Sequence, residues 1–154
     1  MGVWLMAVLV LLFSGCGGGP AIEPATVVQV NVTASQQVNP DGEGRPSPVV
    51  TRIYFLQTPG RFETADFFTL FRNQAAALGE SLVAVEELTL MPGMRQSFIR
   101  EIKDEVGWIG VVAAYRDIDH ALWRQLVAIP PHQTSLLEVR LKPLAVEVDL
   151  IEHR

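Results

Sequence analysis

The chain has 154 residues, with 12 Lys and Arg against 17 Asp and Glu for a net charge of -5, and 49% of its residues are hydrophobic. That length supports one domain with a real core, the apolar fraction excludes intrinsic disorder, and a net acidic chain lacks the clustered cations on which nucleic-acid binding draws. The single cysteine excludes an intramolecular disulfide framework, a Cys-based zinc site and a thioredoxin-type pair, each of which needs at least two thiols.

The chain opens with an uncharged apolar run, Val3 to Phe13, followed by Ser14-Gly15 and the cysteine, Cys16. A run of about 11 apolar residues ending in small residues has the dimensions of a signal-peptide core and cleavage site. A membrane-spanning helix takes about 20 residues, and Gly17-Gly18-Gly19-Pro20 blocks helical continuation. Leu12-Phe13-Ser14-Gly15-Cys16 resembles the bacterial lipobox, in which a peptidase cuts before a cysteine that carries diacylglycerol. On that resemblance residues 1–15 are a lipoprotein signal peptide and Cys16 is the lipid attachment residue. The covalent lipid is the only non-protein group expected. Residues 16–25 read as the acylated cysteine and a flexible Gly/Pro-rich tether.

From residue 26 the period of two dominates. Val28, Val30 and Val32 alternate with Gln29, Asn31 and Thr33, predicting a strand with one buried and one wet face. Further strands are predicted at Val49 to Gln57, around Leu88 and Leu90, at Met94 to Ile102, Leu126 to Ile129, Leu137 to Leu141, and Val146 to Leu150. Trp108 to Tyr115 is almost wholly apolar, as expected of a central strand covered on both faces. Pro92-Gly93 is read as a hairpin turn between two paired strands, and Lys142-Pro143-Leu144 as the turn between the last two. About eight short alternating strands predict a mainly β domain over residues 26–151, a two-sheet antiparallel β-sandwich. Between them, Phe67, Phe68, Phe71, Ala75 and Leu78 recur at helical spacing. One helix is expected over Thr64 to Leu78, capped by Thr64 or Asp66 and stopped by Gly79, as a small insertion at about residues 61–79.

The loop from Ser35 to Pro48 is long for a link between adjacent strands, where 2 to 5 residues are usual. Asn39, Pro40, Asp41, Gly42, Glu43, Gly44 and Arg45 form its core, and its prolines stiffen the backbone while its glycines permit special turns. Long, partly rigid loops on a β-scaffold are where binding tends to reside. These residues are the candidate partner-binding loop; a passive surface loop is the competing reading. Asn39, Asp41, Glu43 and Gly44 mimic the start of a calcium loop, but Val50 stands where the bidentate glutamate belongs, so no metal is expected. Asp117-Ile118-Asp119-His120 reads as a turn capping a short helix in preference to an acid-base cluster. Glu86-Glu87, Glu101, Asp104 and Glu105 read as solvated surface, and His132 and His153 are not placed like catalytic residues. With no nucleophile elbow, phosphate loop or zinc helix motif, no enzyme activity is expected.

Several stretches in order resemble one family. They are Val30-Asn31-Val32-Thr33-Ala34-Ser35, Val38-Asn39-Pro40-Asp41, Gly44-Arg45-Pro46-Ser47-Pro48-Val49-Val50 with Arg52-Ile53-Tyr54, Phe62, Ala65-Asp66-Phe67-Phe68, Pro92-Gly93, and Gly110-Val111-Val112-Ala113-Ala114-Tyr115-Arg116-Asp117 leading to Trp123-Arg124. Behind a lipobox-like cysteine, this order resembles the TssJ/SciN (VasD) outer-membrane lipoproteins of the type VI secretion system. The resemblance implies a transthyretin-like β-sandwich with a small helical insertion, lipid-anchored in the outer membrane and facing the periplasm. It also implies that residues 35–48 correspond to the loop that contacts the periplasmic part of the IcmF-like inner-membrane protein TssM. The expected function is structural, anchoring the membrane complex of the apparatus. The alternative is a periplasmic lipoprotein carrier, which an apolar cavity of roughly 300 Å³ or more would favour.

Overall fold

A computed structural model describes residues 23–152. The predicted signal segment, Cys16 and most of the tether lie outside the described residues. The alternating segments form eight strands: β1 Thr26–Ala34, β2 Val49–Leu56, β3 Leu82–Leu90, β4 Arg95–Ile102, β5 Trp108–Ala113, β6 Arg124–Ala128, β7 Thr134–Leu141 and β8 Val146–Glu152. They pair into two four-stranded sheets, ordered β4-β1-β7-β8 and β3-β2-β5-β6. Val28, Val30 and Val32 of β1 and Leu137, Val139 and Leu141 of β7 pack in one core with Ile53, Phe55, Ile109 and Val111 of the other sheet. The side chains between them point outward, where Arg140 pairs with Glu147 and Asp149 across β7 and β8. The two-sheet sandwich with a helical insertion predicted from the sequence is the observed architecture.

The second sheet is covered twice. Its far face is roofed by the insertion, through a second cluster of Tyr54, Leu56, Phe62, Leu70, Leu78 and Val112. This explains why β5 is buried almost throughout, with only Trp108 partly exposed. Gly110 makes the closest approach: a Cβ there would sit 2.5 Å from the Phe62 ring. Real carbon contacts do not come that near, so the glycine lets the insertion lie flat on the sheet.

Three features differ from the sequence expectations. The sandwich is not purely antiparallel, because β1 and β7 pair in parallel, Val30 opposite Leu137. Alternation reports which face is buried and carries no information on strand direction. Second, Pro92-Gly93 is not a hairpin turn: β3 and β4 belong to opposite sheets, and the turn carries the chain from one to the other. Gly93 takes φ 75° there and donates its amide to the Ser35 carbonyl at 3.1 Å.

The third difference is in the insertion. The single helix expected over Thr64 to Leu78 is three short ones, α1 Gly60–Thr64, α2 Phe67–Arg72 and α3 Gln74–Leu78, followed by a 3-10 turn at Gly79–Ser81. Asp66 caps α2 by accepting from the Thr69 amide at 2.9 Å, whereas Thr64 ends α1. Asn73 both ends α2 and caps α3. Each cap satisfies amides that a continuous helix would have bonded internally, so breaks here are cheap and let the segment bend around the sheet. Gly79 is the stop, at φ 56°. Of the apolar stripe only Leu78 is buried, Phe67 and Phe71 are half-buried, Ala75 is exposed and Phe68 is 52% exposed with Arg72 over its ring; Leu70, outside the stripe, is buried.

Candidate functional site

The loop from 35 to 48 joins the centre of one sheet to the centre of the other. Its length therefore exceeds a hairpin link because it crosses the end of the sandwich. At that same end lie the turn after β5 and the turn between β7 and β8. Two residues stitch the three segments together. Asn39, at φ 51° and 2% exposed, donates its amide side chain to the Pro48 carbonyl at 2.6 Å and accepts from the Arg116 amide at 2.7 Å. Its own backbone N–H donates to the Pro143 carbonyl at 3.0 Å. Asparagine tolerates this left-handed backbone better than most residues. Tyr115 closes the other side, its hydroxyl 2.7 Å from the Ala145 carbonyl and 3.1 Å from that of Lys142. Burial pushes its phenol above the usual range, so it stays protonated and able to donate.

Beyond Asn39 the chain bulges outward as a closed ring. Asp41 accepts from the backbone amides of Glu43 and Arg45, both at 2.9 Å, and its second oxygen meets the Arg45 guanidinium at 2.9 Å. The backbone of Asp41 and Arg45 is closed by an amide-to-carbonyl bond of 2.9 Å. The Arg45 amide and then its guanidinium hold the Asp41 carboxyl below the usual carboxylate range. Arg45 also reaches Glu43 at 3.1 Å. Gly44, at φ 79°, makes the turn that a side chain would strain. Of the seven residues predicted to form the partner-binding loop, the structure thus divides the roles. Asn39 faces inward as a brace, and Gly42, Glu43, Gly44 and Arg45 are exposed on the bulge with Pro40 and Asp41 partly covered beneath them.

A cleft of about 380 Å³ lies between this bulge and the turn after β5, lined by Pro40, Asp41, Gly42, Arg116, Asp117 and Leu144. The Asp117 carboxylate accepts from His120 Nδ1 at 2.7 Å, and this contact raises the His120 pKa above its ordinary value. Asp117 to His120 is a turn, as predicted, but no helix follows: Leu122, 67% exposed, instead bridges to Ala145. Among the described residues no group of three or more His, Cys, Asp or Glu side chains is placed to hold a metal ion.

The other carboxylates singled out in the sequence are scattered. Glu86 pairs with Arg100 and Glu87 with Arg52, across strand edges. His132 sits far from the loop end, against Glu23 and the Pro24 carbonyl. Between the β3 and β4 edges another cleft, lined in part by Phe55, Val83, Ile102 and Val106, measures about 190 Å³, and one of about 300 Å³ beside the insertion has Phe62 and Leu126 together with the polar Glu63, Arg124 and Gln125 in its lining. The sequence reading did not single out Arg116, Leu122 or Leu144 as site residues. Arg116 is 77 positions from Asn39, and no local spacing announces a contact of that range.

Two packed sheets, a helical insertion and a braced loop projecting from one end define a small β-sandwich module. The chain belongs to the type VI secretion lipoprotein family (VasD, EvfM, TssJ, VC_A0113), whose model matches residues 26–144. It is similar to the T6SS lipoprotein TssJ1 from Pseudomonas aeruginosa, 34% identical over 85% of this chain and 100% of that one, with a TM-score of 0.81. Serratia marcescens Lip, a membrane-bound component of the type VI secretion system, shares the fold at 23% identity, 82% and 96% coverage and a TM-score of 0.75. A chain from the structure of the T6SS protein TssM C-terminal domain (869-1107) from EAEC does so at 23% identity, 82% and 98% coverage and a TM-score of 0.62. No curated protein sequence matches this chain significantly.

Proposed function

We propose that the protein is a non-enzymatic anchor of the type VI membrane complex, held in the outer membrane by lipid on Cys16, facing the periplasm, and binding the periplasmic part of the IcmF-like protein TssM through the 39–45 loop. The observation that carries the reading is the internally bonded bulge from Asp41 to Arg45 projecting from a braced end of the sandwich. A loop ordered before binding loses less conformational entropy on docking, which favours affinity. Family membership supports the secretion role, and the fold shared with a chain in the TssM domain structure supports the partner. Lipid retention follows from chain number: each buried CH2 contributes about 0.8 kcal/mol, so one acyl chain binds marginally and two or more hold.

Cys16→Ser should abolish palmitate labelling and release the protein into the soluble periplasmic fraction; persistent labelling would refute the anchor. Replacing residues 41–45 by a short Gly/Ser turn, which keeps the Asn39 brace, should leave the sandwich folded and abolish co-purification with the TssM protein. Retained binding would place the contact elsewhere.

A further inference from the structure

We infer that the cleft beside the loop receives an acidic side chain of the partner, with Arg116 as the cation that reads it and Pro40 and Leu144 as its apolar walls. This rests on the reading above, that the loop end is the partner-binding surface, and adds the chemistry the partner must bring.

Three cleft residues carry charge: Asp41, Arg116 and Asp117. The two carboxylates are already engaged. Asp41 bonds to the Arg45 guanidinium and to two loop amides, and Asp117 to His120. The Arg116 guanidinium, by contrast, has no ion pair or side-chain hydrogen bond among the described residues, although its backbone amide is held by Asn39 at 2.7 Å. The backbone fixes where the cation starts, and beyond a through-space attraction to Asp41 its exposed end makes no ion pair among the described residues. A partner covering this cleft with apolar groups alone would bury an uncompensated charge, at high cost. A partner bringing Lys or Arg would meet Arg116 beside carboxylates whose acceptors are already held, Asp41 by Arg45 and two amides and Asp117 by His120. A carboxylate makes a bidentate pair with the planar guanidinium, and arginine is enriched among the residues that dominate interfaces.

The surroundings extend the requirement. Leu144 lines the cleft, and Leu122 donates its amide to the Leu144 carbonyl at 2.9 Å while keeping its side chain in solvent. The fitting segment therefore has Asp or Glu next to an aliphatic or aromatic residue, the acid on Arg116 and the apolar neighbour against Leu144 and Leu122.

The test measures binding of the full chain, purified in detergent, to the C-terminal periplasmic region of the TssM protein encoded with it, at low and physiological ionic strength. Arg116→Ala and Arg116→Glu should weaken binding by about tenfold or more at low salt and flatten its salt dependence. Both should melt like the parent, since the structural bond at this position uses only the backbone. A substitution of the matching partner carboxylate by Arg should restore binding to Arg116→Glu. If Arg116→Glu binds within about twofold of the parent while the Gly/Ser loop replacement abolishes binding, the acidic-contact inference is overturned and the loop reading stands. If both bind like the parent, the surface itself is misassigned. Tighter binding by Arg116→Leu would show an apolar occupant and likewise overturn it.

Discussion

Replacing Asn39 by Ala removes the brace without touching either sheet. The Pro48 carbonyl and the Arg116 amide lose the partners they hold at 2.6 and 2.7 Å. A buried polar group left unpaired costs about 1–3 kcal/mol, and a left-handed backbone on alanine about 1–2 kcal/mol. Asn39 is 2% exposed, but Pro48 and Arg116 are exposed residues and both bonds are part-buried, so water offsets part of the two penalties. The expected loss is roughly 3–5 kcal/mol, a large share of the 5–15 kcal/mol typical of a domain. Urea denaturation should show a lower midpoint with an unchanged slope, and amide exchange should show lost protection at Arg116. Asn39→Gly, which relieves the backbone strain and keeps the hydrogen-bond loss, should fall between the two. A loss below about 1 kcal/mol for the alanine variant, or protection retained at Arg116, would refute the bracing role.

Gly110→Ala should destabilise the fold by about 1–3 kcal/mol, because its Cβ meets the Phe62 ring at 2.5 Å. Phe62→Ala should cost about 3–5 kcal/mol alone but render the added Gly110→Ala change nearly neutral, a coupling that a double-mutant cycle reads directly. Arg124→Ala should loosen the insertion, because Arg124 donates to the carbonyls of Phe62 at 3.0 Å and Ala65 at 2.7 Å; faster amide exchange confined to residues 60–81 is the signature. Asp117 raises the pKa of His120. Stability from this pair is thus full below the unfolded histidine pKa and lost as pH rises through the folded one. Asp117→Asn should return the His120 NMR titration toward about 6.5. The Asp41 carboxyl is lowered, first by the Arg45 amide, so its contribution is present above the ordinary carboxylate pKa and fades as pH falls through the folded value. Asp41→Asn should leave the domain folded with a more mobile 41–45 bulge by relaxation measurements.

The sequence by itself determined what local physics can write. The period of two in β1, β7 and β8 set which side chains form the core, the apolar run at β5 announced a strand covered on both faces, and Asp66 and Gly79 marked helix boundaries where the chain does turn. The prolines and glycines between Asn39 and Pro48 marked the loop before its position was known. Strand partners were decided only by the tertiary structure, because alternation is blind to direction and to sheet membership. Hence β1 could run parallel to β7, and Pro92-Gly93 could cross between sheets. The division of the loop into an inward Asn39 and an outward bulge was likewise settled by contacts distant in sequence, with Pro143 and Arg116. Local propensity fixes the pieces because it acts through near neighbours. The site belongs to the packing because its walls come from three turns that only the closed sandwich brings to one end.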